Sequence, residues 1–187
     1  MTDNENGFTL IEVLVVTGIV AVLSVFAAGI FIANNRFYLN QSAEIQAVVG
    51  TWQSGDRINE YGRTAAAFVA SRIYNSTTYT TGAETVIFQI PSINASQQII
   101  ASTYDYVYIT KDLSNISRLI LIVEPNAASA RLARSVELTN KLSVVSFTYD
   151  NGSPSQASNM TYRIKIDTGG RYPGVEDLRG GVTLRNK

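Results

Sequence analysis

An apolar run near the N-terminus constrains the fold of this 187-residue chain more than any other feature. From Phe8 to Ala33 the sequence contains one ionisable residue, Glu12. A helix rises about 1.5 Å per residue, so this segment is long enough to cross a hydrocarbon core of about 30 Å. The run therefore predicts a transmembrane helix over residues 8–33.

The carboxylate of Glu12 is the exception in this run. A charge at the bilayer centre costs about 2.5–3.5 kcal/mol on insertion scales, so such a residue usually has a function and a partner. Residues 8–33 contain no Lys, Arg or His to pair with it. Cleavage between Gly7 and Phe8 would create an α-amino group on the same helical face as Glu12. At about 4 Å and an effective dielectric near 20, that pair attracts by roughly 4 kcal/mol before desolvation. Formed between neighbouring copies, it would set their register.

The residues around this acid resemble a known processing site. Gly7 is followed by Phe8-Thr9-Leu10-Ile11-Glu12 and then by the apolar run. This arrangement resembles the prepilin peptidase site of type IV pilins and type II secretion pseudopilins. The resemblance implies cleavage between Gly7 and Phe8 at the cytoplasmic face, methylation of Phe8, and a role for Glu12 in filament assembly. It also implies four partners, which are prepilin peptidase, other pilin or pseudopilin subunits, an inner-membrane assembly platform and membrane lipid.

The predicted parts of the chain follow from this motif. Residues 1–7 are the leader peptide, 8–33 the transmembrane and assembly helix, 34–74 an amphipathic helical continuation, and 75–187 an antiparallel β-sheet domain. The leader contains no Lys or Arg and so differs from a secretory signal peptide, which begins with a basic region. We expect an α+β fold, in which the C-terminal half of a long membrane-spanning helix packs on an antiparallel sheet, as in pilins.

Helical spacing continues after Ala33. An apolar stripe is formed by Phe37, Tyr38, Ile45, Val48, Val49 and Trp52, and a similar pattern resumes from Ile58 to about Tyr74. Gly50, Gly55 and Gly62 weaken helical continuity, which leaves one long helix and two collinear helices as alternatives. Because an exposed stripe of this kind needs cover, we expect the upper half of the helix to lie against the sheet with Trp52 in the core.

From Asn75 onward the pattern is that of β-strands. The predicted strands cover residues 85–90, 97–101, 104–110, 118–124, 130–138, 142–149, 160–166 and 182–186. The first of these is expected to stop at Pro91, and strands 97–101 and 104–110 are expected to pair as a hairpin. Strand 118–124 is the most apolar, so we expect it to be central in the sheet. Residues 167–181 are rich in glycine and predict a loop.

The C-terminal half carries a second, looser resemblance. Residues 142–152 include the pattern Phe147-x-Tyr149-Asp150, and they precede the alternating strand from Tyr162 to Ile166 and the short segment 182–186. This order resembles minor pilins of the W type and pseudopilin J. In that group such subunits sit at or near the filament tip and help to start assembly, so the resemblance implies a minor subunit.

Composition restricts the chemistry that the chain can perform. It has no Cys and no His, which removes disulfides, thiolate sites and the commonest general base and metal ligand. Its charges balance, with 15 basic and 15 acidic residues, so a nucleic-acid partner is not favoured. We find no active-site pattern and expect neither enzymatic activity nor a cofactor. Calcium is a weaker alternative, for which the candidate ligands are Asp150, Asp167, Glu176 and Asp177; the sequence lacks EF-hand spacing.

Two functions remain at the level of sequence. The first is a prepilin that assembles through its hydrophobic helix into a type IV pilus or a type II secretion pseudopilus. The second is a single-pass membrane-anchored module that binds a surface ligand and does not polymerise. For the first, we expect inner-membrane insertion before assembly, with the C-terminal domain outside the cytoplasm, and then a cell-surface or periplasmic filament. The first function is favoured because a simple membrane anchor does not require a costly carboxylate such as Glu12 within its apolar segment.

Overall fold

Helix α1 (Leu10–Thr64) is 55 residues long and continuous. A computed structural model of the chain describes residues 9–184. The chain divides into two compact units, residues 1–42 and residues 43–187. The described part of the first unit is helical from Leu10 onward, and nearly all of its side chains are exposed. Gly50, Gly55 and Gly62 do not interrupt the helix, so the alternative of two collinear helices is excluded.

The second unit contains the C-terminal part of α1 and ten strands. The strands are β1 (Ala67–Phe68), β2 (Ser71–Tyr74), β3 (Thr77–Thr80), β4 (Thr85–Ile93), β5 (Ile99–Lys111), β6 (Leu119–Glu124), β7 (Arg134–Thr139), β8 (Leu142–Tyr149), β9 (Asn159–Asp167) and β10 (Val175–Thr183), with a short 3₁₀ helix at Pro154–Gln156. They form a five-stranded sheet of order β1-β4-β5-β6-β7, a three-stranded sheet of order β10-β9-β8, and the hairpin β2-β3. All described pairings are antiparallel. The predicted α+β class, with the helix against antiparallel strands, is confirmed.

The main core is built from residues that alternate along the strands. The five-stranded sheet contributes Val86, Phe88, Ile90, Val107, Ile109, Leu119, Leu121 and Val123, and the three-stranded sheet contributes Val145, Phe147, Met160, Tyr162, Ile164, Ile166 and Val182. The helix adds Ala47, Ile58 and Tyr61. Strand β6 was expected to be the central strand; it is an interior strand, and β5 is the central one.

The opposite face of the five-stranded sheet has a smaller cluster. Ile87, Tyr108 and Ile122 are buried there and are covered partly by Tyr74 and Tyr79 of the hairpin. Arg72 of the hairpin makes two hydrogen bonds to Glu124 of β6, at 2.8 and 2.9 Å. The hairpin is therefore fixed to the sheet by both packing and a bidentate ion pair.

A buried polar network holds the segment between β6 and β7. The Asp105 carboxylate is fully buried. It accepts hydrogen bonds from the Ser92 hydroxyl at 2.7 Å, the Asn126 N–H at 2.8 Å and the Ser129 hydroxyl at 2.8 Å. It also pairs with the Arg131 guanidinium at 2.5 Å. Every lone pair of a buried carboxylate needs such a partner, so this network fixes the conformation of the segment.

Small residues bring the helix close to the three-stranded sheet. A Cβ added at Gly55 would overlap Leu178, one added at Gly62 would overlap Val182, and one added at Gly50 would lie 3.0 Å from Ile166. These glycines, which had been expected to weaken the helix, are the points at which the strands contact it.

Replacing Gly62 by alanine should therefore destabilise the second unit. The added methyl group meets the two methyl groups of Val182, and overpacking of this kind costs about 1–3 kcal/mol, which offsets the helical preference of alanine of about 1 kcal/mol. Thermal unfolding of the full chain in detergent, followed by near-ultraviolet circular dichroism, measures the effect. Gly29→Ala is the control, since apart from its chain neighbours and the backbone of its own helical turns no described atom lies within 4 Å of the added group. Equal melting temperatures for the two variants would contradict this interpretation.

The helix ends at Thr64, so the prediction of helix to Tyr74 is wrong. Phe68, expected on a helical face, pairs with Phe88 in the sheet. Asn75 and Ser76 have φ angles of +46° and +63° and form the two-residue turn between β2 and β3. Two successive positive φ angles match the twist of a tight hairpin. The strand pairing on either side of this turn therefore replaces the last turns of the predicted helix.

The hairpin predicted between residues 97–101 and 104–110 is also wrong. Residues 99–101 and 104–110 belong to one strand, β5, which pairs with β4, and β4 continues through Pro91 to Ile93. The pairing of β4 with β5 shifts register between Pro91 and Ile93, and Ser102 on the facing strand has a positive φ of +57°. A proline is tolerated in a strand at such a position, where its missing N–H is not required.

The predicted glycine-rich loop at residues 167–181 is wrong for residues 175–181, which belong to strand β10, and for Asp167, which ends β9. Gly180 lies against the Tyr162 ring, where a Cβ would overlap, so this glycine permits close packing within the sheet. Val182 and Thr183 belong to β10. Residues 185 and 186 of the predicted terminal strand lie outside the described residues. The strand predicted at 130–138 begins only at Arg134, because the preceding residues form the segment held by Asp105.

Candidate functional site

The first turn of α1 places Glu12 at a helix N-terminus. Thr9 precedes the helix, and its carbonyl and hydroxyl oxygens accept hydrogen bonds from the Glu12 N–H at 3.1 and 3.4 Å. Thr-x-x-Glu is the sequence pattern of a capping box, and among the described residues the structure forms one half of it, the bond from the Glu12 N–H to the hydroxyl of Thr9 at the N-cap position. A carboxylate in the first turn also interacts favourably with the helix dipole. Local folding therefore fixes the position of Glu12 on the helix.

The carboxylate itself is surrounded by exposed apolar side chains. Leu10, Ile11 and Leu14 are 84%, 72% and 67% exposed. Within residues 9–184 the carboxylate of Glu12 has no ion pair and no hydrogen bond. The predicted processing residues, Gly7 and Phe8, lie outside the described residues, so cleavage and methylation there stay predictions.

The rest of the helical segment suits a lipid environment. Among the described residues, α1 is the one helix that is long and apolar enough to cross a membrane, by length and composition. The hydroxyls of Thr17 and Ser24 donate to the carbonyls of Val13 and Val20, each at 2.7 Å. These polar side chains therefore find partners within their own helix, as the absence of water in a bilayer core requires.

The part of α1 in the second unit presents its large apolar residues outward. Ile45, Val49 and Trp52 are 61%, 46% and 53% exposed. The residues that face the sheets are instead Ala47, Thr51, Ser54, Gly55, Ile58, Tyr61 and Gly62. The prediction that Trp52 belongs to the core is therefore wrong, because close helix–sheet contact required small side chains. We call the surface formed by Ile45, Val49 and Trp52 the outer helix face. The spacing of the small residues at 47, 51, 54, 55 and 62 was the signal that could have identified the buried face.

The calcium candidates do not come together. The Asp150 carboxylate accepts hydrogen bonds from the N–H groups of Ser158 and Asn159, both at 3.0 Å. Asp167 accepts from the Gly169 N–H at 2.9 Å. Asp177 pairs with Arg163 at 2.6 Å, and the hydrogen bond from that guanidinium lowers the pKa of Asp177. Glu176 lies on β10 opposite Ile166. In the described part of the chain, no group of three or more His, Cys, Asp or Glu residues could hold a metal ion.

A comparison with protein-family sequence patterns finds a match over the N-terminal region that contains Glu12 and the start of α1. Residues 2–28 match the family described as the prokaryotic N-terminal methylation motif. The match covers most of the leader, the predicted cleavage position and the first part of α1. Among curated protein sequences, none matches this chain. The motif and the long apolar helix together fit a membrane-anchored chain with an N-terminal methylation signal. The match supports the type IV pilin and pseudopilin family, which carries this N-terminal motif.

Proposed function

We propose that this chain is a prepilin that is cleaved between Gly7 and Phe8 and methylated at Phe8. The mature protein assembles through its hydrophobic helix, as a minor subunit, into a type IV pilus or a type II secretion pseudopilus. The observation that carries this proposal is Glu12, a lone acid on an exposed apolar helix that has no partner within residues 9–184. Assembly supplies that partner, because each processed subunit brings a free amino group to the same end of the helix.

The proposed route sets the location and partners of the chain. The subunit is held in the inner membrane by α1, with its strand-rich unit outside the cytoplasm. Prepilin peptidase removes residues 1–7, and the inner-membrane assembly platform moves the subunit from lipid into a filament of other pilin or pseudopilin subunits. The filament is at the cell surface or in the periplasm.

The minor role is supported by the second unit. The segments that resemble minor pilins of the W type and pseudopilin J are β8, β9 and the end of β10, and these strands are neighbours in one sheet. Their order in the sheet follows their order in the chain, so the sequence resemblance corresponds to one structural element. We infer from it a subunit that helps to start a filament.

Fractionation of filaments tests the proposal against an anchored binding module. Filaments sheared or purified from cells should contain the chain together with other pilin or pseudopilin subunits, identified by mass spectrometry. Recovery of the chain only from membranes, in cells whose filaments are intact, would contradict the proposal and favour the anchored module. The identity of the co-purified subunits distinguishes a pilus from a pseudopilus.

The outer helix face provides an optical test of assembly. The chain contains one tryptophan, Trp52, and its side chain is 53% exposed in the isolated subunit. We expect this face to be covered by a neighbouring subunit, since a patch of exposed apolar residues commonly marks an interaction site. The indole emission should therefore move to shorter wavelength on assembly, as water is excluded.

A substitution at the same face gives the corresponding functional result. Trp52→Ala should reduce incorporation into filaments by about tenfold, as expected for an aromatic residue at the centre of an interface, and should leave the melting temperature nearly unchanged. Ile73→Ala is the matched control, since Ile73 is 67% exposed on β2, away from this face. Equal incorporation of the two variants, with no change in emission on assembly, would show that the face stays in water.

A further inference from the structure

The outer face of the three-stranded sheet carries a row of polar side chains that filament assembly through α1 does not use. The strand register places Ser146, Arg163 and Arg179 side by side on β8, β9 and β10. The neighbours of Arg163 along β9, Tyr162 and Ile164, are 4% and 0% exposed. Because side chains alternate along a strand, the row faces away from the core.

Two guanidinium groups occupy directly paired positions in this row. Like charges opposite each other on adjacent strands destabilise a sheet. The Arg163 side chain is held by Asp177, with Nη2–Oδ2 and Nε–Oδ1 distances of 2.6 and 3.0 Å. Arg179 makes no ion pair in the described part of the chain, and Lys165 lies opposite Asp177. The basic groups on this face are Arg163, Lys165 and Arg179, and the acids are Asp167 and Asp177, which leaves an excess of one positive charge.

The row borders a trough with a volume of about 550 Å³. Its walls carry the two guanidinium groups and the hydroxyls of Ser146, Thr148 and Thr161. The floor includes Gly180, and the next position, Gly181, is exposed and opposite Thr161, so no side chain fills the trough there. A concave site of this size lies within the range of small-ligand pockets, about 300–1,000 Å³.

We propose that this trough binds the phosphate group of a small ligand, held between Arg163 and Arg179, with Ser146 donating a further hydrogen bond. A guanidinium group matches phosphate with two parallel hydrogen bonds. A phosphate monoester carries a charge of about −1.5 to −2 near neutral pH, which is opposite in sign to the excess charge of this face. Its tetrahedral set of oxygens can accept from two arginines and a hydroxyl at once, whereas a planar carboxylate has only two oxygens.

The lining favours a small phosphate ligand over a nucleic acid. Proteins that bind single strands use exposed aromatic rings on which bases stack. Tyr162 is the one aromatic residue that lines the trough in the described part of the chain, and its side chain is 4% exposed, on the core side of the sheet. The hydroxyls of Thr148 and Thr161 are instead available to a polar group attached to the phosphate.

Titration with inorganic pyrophosphate tests the proposal. The full-length chain in a neutral detergent at low salt should bind pyrophosphate saturably by calorimetry. Arg179→Gln should weaken binding by about tenfold, since a hydrogen bond to a charged group is worth roughly 1.5 kcal/mol or more, and Arg179→Lys should restore part of it. Arg171→Gln is the matched control, because Arg171 is an exposed arginine in the loop before β10 and outside the trough.

Thermal unfolding gives a second readout that a general charge effect would not reproduce. Without ligand, Arg179→Gln should melt at a higher temperature than Arg171→Gln, because it removes a like-charged pair. Pyrophosphate should raise the melting temperature of the wild type and of Arg171→Gln, but not that of Arg179→Gln.

Several outcomes would overturn this site. They are no binding by the wild type, equal weakening by Arg171→Gln and Arg179→Gln, and binding of citrate as tight as that of pyrophosphate. Tighter binding of duplex DNA or of phosphatidic acid vesicles through Arg179 would replace the small ligand by a nucleic acid or a lipid. Filament incorporation of Arg179→Gln should remain normal, so failure here is distinguishable from failure of the assembly proposal.

Discussion

Replacing Glu12 by alanine should reduce incorporation of the chain into filaments by more than about tenfold, while membrane insertion continues. The pair between this carboxylate and an α-amino group attracts by roughly 4 kcal/mol before desolvation, and a net loss of only about 1.4 kcal/mol changes an equilibrium tenfold. Insertion should persist, since removing a charge from an apolar helix makes transfer into lipid more favourable.

Immunoblotting of filament and membrane fractions measures this loss of incorporation as the ratio of filament-bound to membrane-bound protein. Glu12→Gln tests charge separately from size and should behave like the alanine variant. Glu44→Ala is the matched control, because Glu44 is also an exposed acid on α1 but lies outside the apolar run. Normal assembly of both Glu12 variants would remove the reason for proposing that pair.

Replacing Asp105 by alanine should destabilise the second unit by about 3–5 kcal/mol, the typical result of removing one partner from a buried ion pair. The Arg131 side chain, 24% exposed, would lose its counter-ion. The hydroxyls of Ser92 and Ser129 and the N–H of Asn126 would lose their acceptor. Chemical denaturation of the full chain in detergent, followed by near-ultraviolet circular dichroism, measures the change in the free energy of unfolding.

An exposed ion pair provides the control for this variant. Glu60 pairs with Arg57 on α1, and both side chains are about half exposed, at 51% and 49%. Glu60→Ala should change the free energy of unfolding by less than about 1 kcal/mol, because solvent screens such pairs. If Asp105→Ala were as stable as Glu60→Ala, the network would not hold the segment between β6 and β7.

The same network makes the second unit sensitive to acid. Burial raises the pKa of Asp105, but the hydrogen bonds from Asn126, Ser92, Arg131 and Ser129 outweigh it, so the pKa lies below its usual value. A carboxylate with a lowered folded-state pKa stabilises the fold fully above its unfolded-state pKa, about 3.9, and progressively less as the pH falls below it. We therefore expect the wild type to lose stability below about pH 4 more steeply than Asp105→Ala.

The sequence was sufficient to predict features that depend on neighbouring residues. The transmembrane length of residues 8–33 and the lone acid could be identified without a structure. So could the alternation along β8 and β9, because periodicity reports which side of an element is apolar. Beyond residue 42 of α1, hydrophobicity alone did not predict which side of the helix is buried, because Ile45, Val49 and Trp52 face outward. The buried face was selected by side-chain size, since Gly55 and Gly62 contact Leu178 and Val182 of a strand more than one hundred residues later.

The remaining errors also come from long-range contacts. Residues 175–181 look like a loop because they contain two glycines, yet pairing with β9 makes them a strand. The Asp105 network joins residues from β4, β5 and the segment after β6, and nothing near Asp105 in the sequence indicates those partners. The phosphate trough likewise depends on a register that places Arg163 opposite Arg179.

The mass of the N-terminal peptide of filament-bound protein is the most direct measurement of the proposed pairing between a processed chain end and an acid in the membrane. We expect that peptide to begin at Phe8 and to carry one methyl group. A peptide that still contains residues 1–7, in protein taken from filaments, would mean that no amino group is formed near Glu12, and it would contradict assembly by this mechanism.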